Sequence, residues 1–280
     1  METGQGSFSK NLAKVFDGGT QISKINTNMD KLYFSLGNSK LSAAIATFAL
    51  PAGHACPFAG ECLSKSDRFT GQITDGPDCR FRCFSATNEA RATTVRNARW
   101  RNWELLKKAK TVQGMADLIQ NSLPFGVQYV RIHVAGDFFS ETYFKAWLNV
   151  ALNNPAIIFY AYTKSLKYWV KYRQLIPSNF RLVASKGGKL DSLIERHNLP
   201  YAEVVFSTEE ARRKGLEIDH DDSHAIKADK PFALLLHATQ PVGTPAAEAW
   251  KVIMRTIGGY TKKRQRGEAL PAKSVKILVS

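Results

Sequence analysis

From about residue 43 to residue 258 the chain alternates short apolar runs with amphipathic stretches, and this rhythm limits the possible folds more than any other feature. The runs are AAIATFAL (43–50), YVRIHVAG (129–136), AIIFYAYT (156–163), FRLVAS (180–185), AEVVFS (202–207) and FALLLHAT (232–239). They are rich in Val, Ile, Leu, Phe and Ala without strict polar alternation, as in strands covered on both faces. Helical patterns lie between them: a long stretch over roughly 86–120, then 140–154 with Ser140 as cap, 165–176 stopped by Pro177, 188–198, 208–215 and 245–258. Strand–helix alternation predicts an α/β fold of parallel βαβ units with right-handed crossovers. An open doubly wound sheet and a full or partial barrel both satisfy it. In either, ligands gather at the carboxyl ends of the strands. Residues 1–40 are expected to form an irregular arm with one short strand, KLYFSL (31–36); 41–258 the barrel; and 259–280 a basic C-terminal segment.

The strand ends carry chemistry. The second run ends in His133, Ala135, Gly136 and Asp137; the third in Tyr160, Tyr162, Thr163 and Lys164; the fourth in Ser185, Lys186, Gly187 and Gly188; the last in His237, Thr239 and Gln240. Ser140, Ser165 and Thr208 are explained as ordinary helix caps. His133 and Asp137 could form an acid–base pair, and His133 could equally be a satisfied interior residue. Lys164 could hold a phosphate or carboxylate, and the SKGG turn could bind phosphate at a helix start or be a plain glycine turn. In HDDSHA (220–225), Asp221, Asp222 and His224 could chelate a divalent cation, although a solvated loop is the commoner explanation. There is no G-x-x-x-x-G-K-[ST] and no G-x-S-x-G, so P-loop and serine-hydrolase readings lack support.

All 4 cysteines, Cys56, Cys62, Cys79 and Cys83, fall in the window 54–84, directly after the first run. A chain of 280 residues buries a full core without disulfides, and disulfide-dense scaffolds are mostly short and secreted. The amino-terminal sequence shows no signal-peptide core, and no run is long enough to span a membrane. The expectation is a cytoplasmic protein with reduced thiols available for metal. The spacing C-x5-C-x16-C-x3-C is wider than the usual zinc knuckles. It suits an iron–sulfur cluster better, because a cluster is larger than one ion; zinc and unligated thiols stay open. His54 is read as a loop residue beside the site.

Net charge is +15 and the sequence pI about 9.7, so a nucleic acid or nucleotide partner is the natural inference. Cations and aromatics interleave in RATTVRNARWRNWELLKKAK (91–110), with Trp100 and Trp103, and in KSLKYWVKYR (164–173). KKRQR (262–266) adds a basic cluster. Aromatic faces can stack on bases while cations follow phosphates, but aromatics at helical spacing are more often core.

A first strand feeding a cysteine loop, followed by a strand with a small–Gly–acid turn, resembles the radical S-adenosylmethionine enzymes. CRFRCFSA (79–86) resembles their cysteine motif, with Ala86 where a third cysteine belongs; VAGDFF (134–139) resembles their Gly-Gly-Glu turn. That resemblance implies a partial (β/α)6 barrel and a [4Fe-4S] cluster held by Cys56, Cys62, Cys79 and Cys83 or three of them. It also implies S-adenosylmethionine bound at Ala135, Gly136 and Asp137; the polar strand ends add Ser185 and Lys186 as cofactor-binding candidates and Asp137, His133 and Lys164 as catalytic candidates. Three ligating thiols would leave an iron open for the cofactor. Four would saturate the cluster and favour a structural or electron-transfer role. Over nearly its whole length the chain more closely resembles a phage-encoded family, the gene product eighty-eight domain, through LPAGHACPFAGEC, RCFSA, VRIHVAGDFFS, FYAYTKSL, ASKGG and DDSHA. The competing expectation is a non-catalytic nucleic-acid-binding protein whose four-cysteine zinc or iron–sulfur site is structural.

Overall fold

The computed structural model describes residues 31–37 and 41–256. The expected arm before Lys31 and the basic segment with KKRQR lie outside the described residues.

Seven strands form one sheet: β1 (Phe34–Leu36), β2 (Ile45–Ala49), β5 (Tyr129–Ala135), β6 (Ile158–Thr163), β7 (Phe180–Ser185), β8 (Tyr201–Val205) and β9 (Phe232–Leu235). Each strand pairs with the next in that order. All pairs are parallel except β1–β2, which is antiparallel. The fold is therefore α/β with a mostly parallel sheet. A doubly wound sheet needs a reversal in strand order, and this order has none, so that alternative falls.

The long predicted helix over 86–120 is instead three: α1 (Phe84–Arg91), α2 (Thr93–Ala109) and α3 (Val112–Gln120). Ala92 is extended at the first break. Lys110 takes φ 58° at the second, and Thr111 restarts the chain by accepting the Gly114 N–H at 3.0 Å. α3 buries an apolar side through Met115, Ala116, Leu118 and Ile119, whereas α1 and α2 bury chiefly polar residues, among them Glu89, Arg96, Arg99 and Asn102. Then come α4 (Glu141–Asn153), α5 (Leu166–Tyr172), α6 (Ser192–Arg196), α7 (Thr208–Arg213), α8 (Ser223–Lys227) and α9 (Pro245–Thr256). Ser140 caps α4 as expected. Ser207, not Thr208, caps α7. Ser165 spends its hydroxyl on the Phe138 carbonyl instead.

Alternate residues along each strand divide between two environments. Ala46, Phe48, Val130, Ile132, Phe159, Ala161, Phe180 and Leu182 join the main core with side chains from α2, α3, α4 and α5. Trp147, Tyr143 and Phe144 of α4 are fully buried there, each contributing on the order of 1.5–3 kcal/mol by leaving water. Tyr168, Trp169 and Tyr172 of α5 also belong to this core, so these expected base-stacking aromatics are packing residues. The other face is more polar. It carries Ile45, Tyr160, Val183 and Phe232 in a smaller core, closed by Ala225 of α8.

Candidate functional site at the carboxyl ends of the strands

The segment between β2 and α1 holds all four cysteines. It also holds a hairpin that sequence periodicity did not reveal, β3 (Ser64–Ser66) with β4 (Ile73–Asp75). Its strands are too short and polar to show a pattern. The segment is tied to the sheet at three carboxyl ends. Beyond β5, the Asp137 N–H donates to Ala55 O at 3.1 Å. Beyond β7, the Glu61 N–H donates to Gly187 O at 2.9 Å and the Lys189 N–H to Phe58 O at 3.0 Å. Beyond β9, Gln240 Oε1 accepts the Arg82 N–H at 2.7 Å. The thiols thus sit where the parallel strands finish.

All four cysteines are free thiols of intermediate exposure. Cys62 is the shared neighbour: its charge is felt at Cys56, Cys79 and Cys83. Burial pushes the Cys56 thiol well above its ordinary range, and Asp137, Cys83 and Cys62 push further; the Gly53 N–H, 3.3 Å away, pulls back. Burial and Cys62 raise Cys83 to about 11, against the N–H groups of Ala86 and Ser85 at the start of α1. Cys79 is raised chiefly by burial. Ser64 links the second pair: its Oγ accepts the Cys83 N–H at 3.1 Å and lies 3.6 Å from Cys79 Sγ. Among the described residues, no group of three or more His, Cys, Asp or Glu side chains is placed to hold a metal ion.

Asp137 is buried beside Cys56. Oδ1 accepts from Thr163 Oγ1 at 2.6 Å and the Phe138 N–H at 2.7 Å, and Oδ2 accepts the Lys164 N–H at 2.8 Å. Burial raises its pKa, and these bonds only partly offset the rise. Gly136 precedes it at φ 83°, where a Cβ would meet Leu50 Cβ at 2.6 Å. Only glycine lets β5 turn so close to the end of β2.

His133 does not pair with Asp137. Its Nε2 is 2.9 Å from Tyr143 Oη, its Nδ1 is buried without a partner, and Phe48 and Phe138 pack on the ring. Burial lowers its pKa to about 3. Lys164 is also committed elsewhere. Its Nζ donates to Ser185 O at 2.9 Å, Ser185 Oγ at 2.6 Å and Lys186 O at 3.1 Å, which uses three ammonium donors. In the SKGG turn the N–H groups of Gly187 and Gly188 donate to Asp191 at 2.7 and 2.9 Å. A carboxylate of the chain therefore fills the place expected for phosphate. Lys186 reaches Glu203 at 3.0 Å. His54 contacts Ser66 O at 3.1 Å and packs on Trp100 and Trp103, binding the hairpin to α2.

A cavity of about 670 Å³ adjoins the cysteine segment. Phe84, the residue after Cys83, forms part of its wall with Thr47, Asn88, Arg99, Arg131, Val134, Leu235 and His237. Its lining comes from α1 and α2 and from β1, β2, β5 and β9, the two edges of the sheet included. Such a volume is that of a small-molecule site. Two buried ion pairs frame it. Arg99 Nη1 meets Glu89 Oε1 at 2.7 Å. Arg131 Nη1 meets Asp222 Oδ2 at 2.6 Å, where Tyr160 also donates at 3.0 Å. Burial would lower the Arg131 pKa, but the Asp222 carboxylate more than reverses this. Asp222 is thus neither the solvated loop residue expected first nor free for a cation: it is buried and serves Arg131. Arg131 was missed in the sequence, although a lone charge inside YVRIHV marks a strand face that is not apolar.

Residues 20–256 match the Gene product 88 family. The chain belongs to the Gene product 88 family. Two curated members are the Gene 88 proteins of Mycobacterium phage L5, 33% identical over 107 residues, and of Mycobacterium phage D29, 32% identical over 107 residues. Each alignment covers 34% of this chain and 45% of the relative. The chain thus spans less than half the length of those Gene 88 proteins. No solved structure matches, and none of these matches supports the expected relationship to radical S-adenosylmethionine enzymes.

Proposed function

We propose that this Gene product 88 protein carries a [4Fe-4S] cluster on Cys56, Cys62, Cys79 and Cys83, or on three of them, at the mouth of a radical-S-adenosylmethionine-like partial (β/α) barrel, and that it acts on nucleic acid or a nucleotide. One observation carries the reading. A single loop, tied to three strand ends, carries every cysteine, and Phe84, next to Cys83, enters the wall of a cavity of about 670 Å³. The donor chemistry supports the reading, since all four are sulfur and none is in a disulfide; as they stand the side chains form no metal-holding group, and they would have to converge and lose their protons when iron binds. The unbroken strand order and a cavity lined from both sheet edges support barrel curvature.

A bound cluster supplies one-electron chemistry. The chain's own residues do the positioning. Thr163 and the Lys164 N–H fix Asp137 beside Cys56. Asp137, with Ala135 and Gly136, would meet an ammonium group of S-adenosylmethionine. Lys164 locks Ser185 and Lys186 rather than touching substrate. His133 stays neutral and orients Tyr143. The formal charge of +15 favours a polyanion.

The internal pairing of Lys164 and the SKGG turn favours a second reading, in which the cysteine centre is a structural clasp in a nucleic-acid-binding protein. Calorimetric titration of anaerobically purified protein with S-adenosylmethionine separates the two. Saturable binding supports the first; an intact cluster with no binding leaves the second. Nucleic-acid affinity that does not fall with salt would count against phosphate contact in both.

A further inference from the structure

We propose that the tip of the β3–β4 hairpin is a stacking post for single-stranded nucleic acid, with Phe69 as the base platform and Arg68 beside it for the backbone. Phe69 is 83% exposed although the turn that presents it is tightly built. Asp67 Oδ1 accepts the Phe69 N–H at 3.0 Å, the Thr70 N–H at 2.7 Å and the Thr70 hydroxyl at 2.8 Å. From beneath, the buried Arg96 donates to Arg68 O at 2.8 Å and Phe69 O at 3.3 Å. An aromatic ring is thus held out into water on a fixed backbone. A fixed ring loses little freedom when something stacks on it.

The surroundings select the occupant. The Arg68 guanidinium lies 5.7 Å from the Phe69 ring centre and 5.1 Å from that of Trp100. Lys107 lies 4.6 Å from the Trp103 ring and shares the exposed ridge of α2 with Lys108. Lys65 on β3 is also exposed. Asp67 is engaged in the turn; Glu104 pairs with Arg68, and a phosphate would have to displace Glu104 from that exposed ion pair. A platform among cations fits a polyanion whose bases are free. A duplex keeps its bases stacked on one another and offers no face to the ring. Ser64, at the base of the same hairpin, bonds Cys83 and neighbours Cys79. Five residues of chain reach at most about 17 Å, so Phe69 lies within that distance of Ser64.

This inference rests on the nucleic-acid reading above and not on the cluster. Its test is fluorescence anisotropy of the full chain with labelled oligothymidine, against a duplex of equal length, at rising salt. The expected result is tighter binding of the single strand, weakening with salt. Phe69→Ala should lose at least about fivefold in affinity, Phe69→Trp should recover it, and both variants should keep the wild-type visible spectrum. Salt-dependent binding that ignores Phe69, or that favours the duplex, overturns the stacking post while sparing the nucleic-acid reading. Binding to neither overturns both.

Discussion

Gln240 holds the peptide of Arg82 from both sides: its Oε1 accepts the Arg82 N–H at 2.7 Å and its Nε2 donates to the Arg82 carbonyl at 3.2 Å. The two residues are 158 apart in sequence. Gln240 follows the last strand of the sheet, and Arg82 lies between Cys79 and Cys83. One buried amide therefore ties the second cysteine pair to the far edge of the fold. Arg82 secures the other side through Asp75, at 2.5 Å from Nη2.

Gln240→Ala leaves that peptide without its partner. A buried unsatisfied group costs about 1–3 kcal/mol, and the loop around Cys79 and Cys83 should open more often. Alkylation of metal-free protein, followed residue by residue, should accelerate at these two thiols and not at Cys56. Uniform rates at all positions would contradict the anchoring role.

Asp222 and Arg131 form a buried pair that closes the polar face of the sheet. Removing one member strands the other charge, a loss of about 3–5 kcal/mol. Asp222→Ala should therefore lower the urea midpoint strongly. The double variant Arg131→Met, Asp222→Leu should regain much of the loss, because neither charge is then buried alone. An Asp222→Ala protein as stable as wild type would contradict the pairing.

His133 predicts a pH dependence. Its pKa falls from 6.5 unfolded to about 3 folded, so between those values the unfolded chain binds the extra proton. Stability then rises with pH, is fully present above 6.5, and is lost as pH falls toward 3. The slope is about 1.4 kcal/mol per pH unit at most. His133→Phe should flatten that part of the profile, at some cost from the orphaned Tyr143 hydroxyl. Denaturation midpoints across the window check this; equal slopes in both proteins would remove His133 as the cause.

The strands were legible in the sequence because burial on both faces writes near-continuous apolar runs such as AAIATFAL, within which β2 lies, and the limits of FRLVAS match β7 although Arg181 interrupts it. The place of the cysteines at the strand ends was legible because a parallel sheet sends every carboxyl end the same way. Pairings between distant side chains were not. Lys164 looks available for an anion until Ser185 and Lys186 are seen to surround it, and His133 and Asp137 look like a pair until the fold gives one Tyr143 as partner and the other Thr163. Gly136 could be read as a turn, but its contact with Leu50 required the fold.

Whether the four thiols hold a cluster is decided by iron, acid-labile sulfide and zinc analysis, with a visible spectrum, on protein purified without air. The account predicts a brown protein with iron and sulfide in equal amounts, and a Cys62→Ser variant that loses both. A colourless protein holding one zinc, or no metal at all, would contradict it.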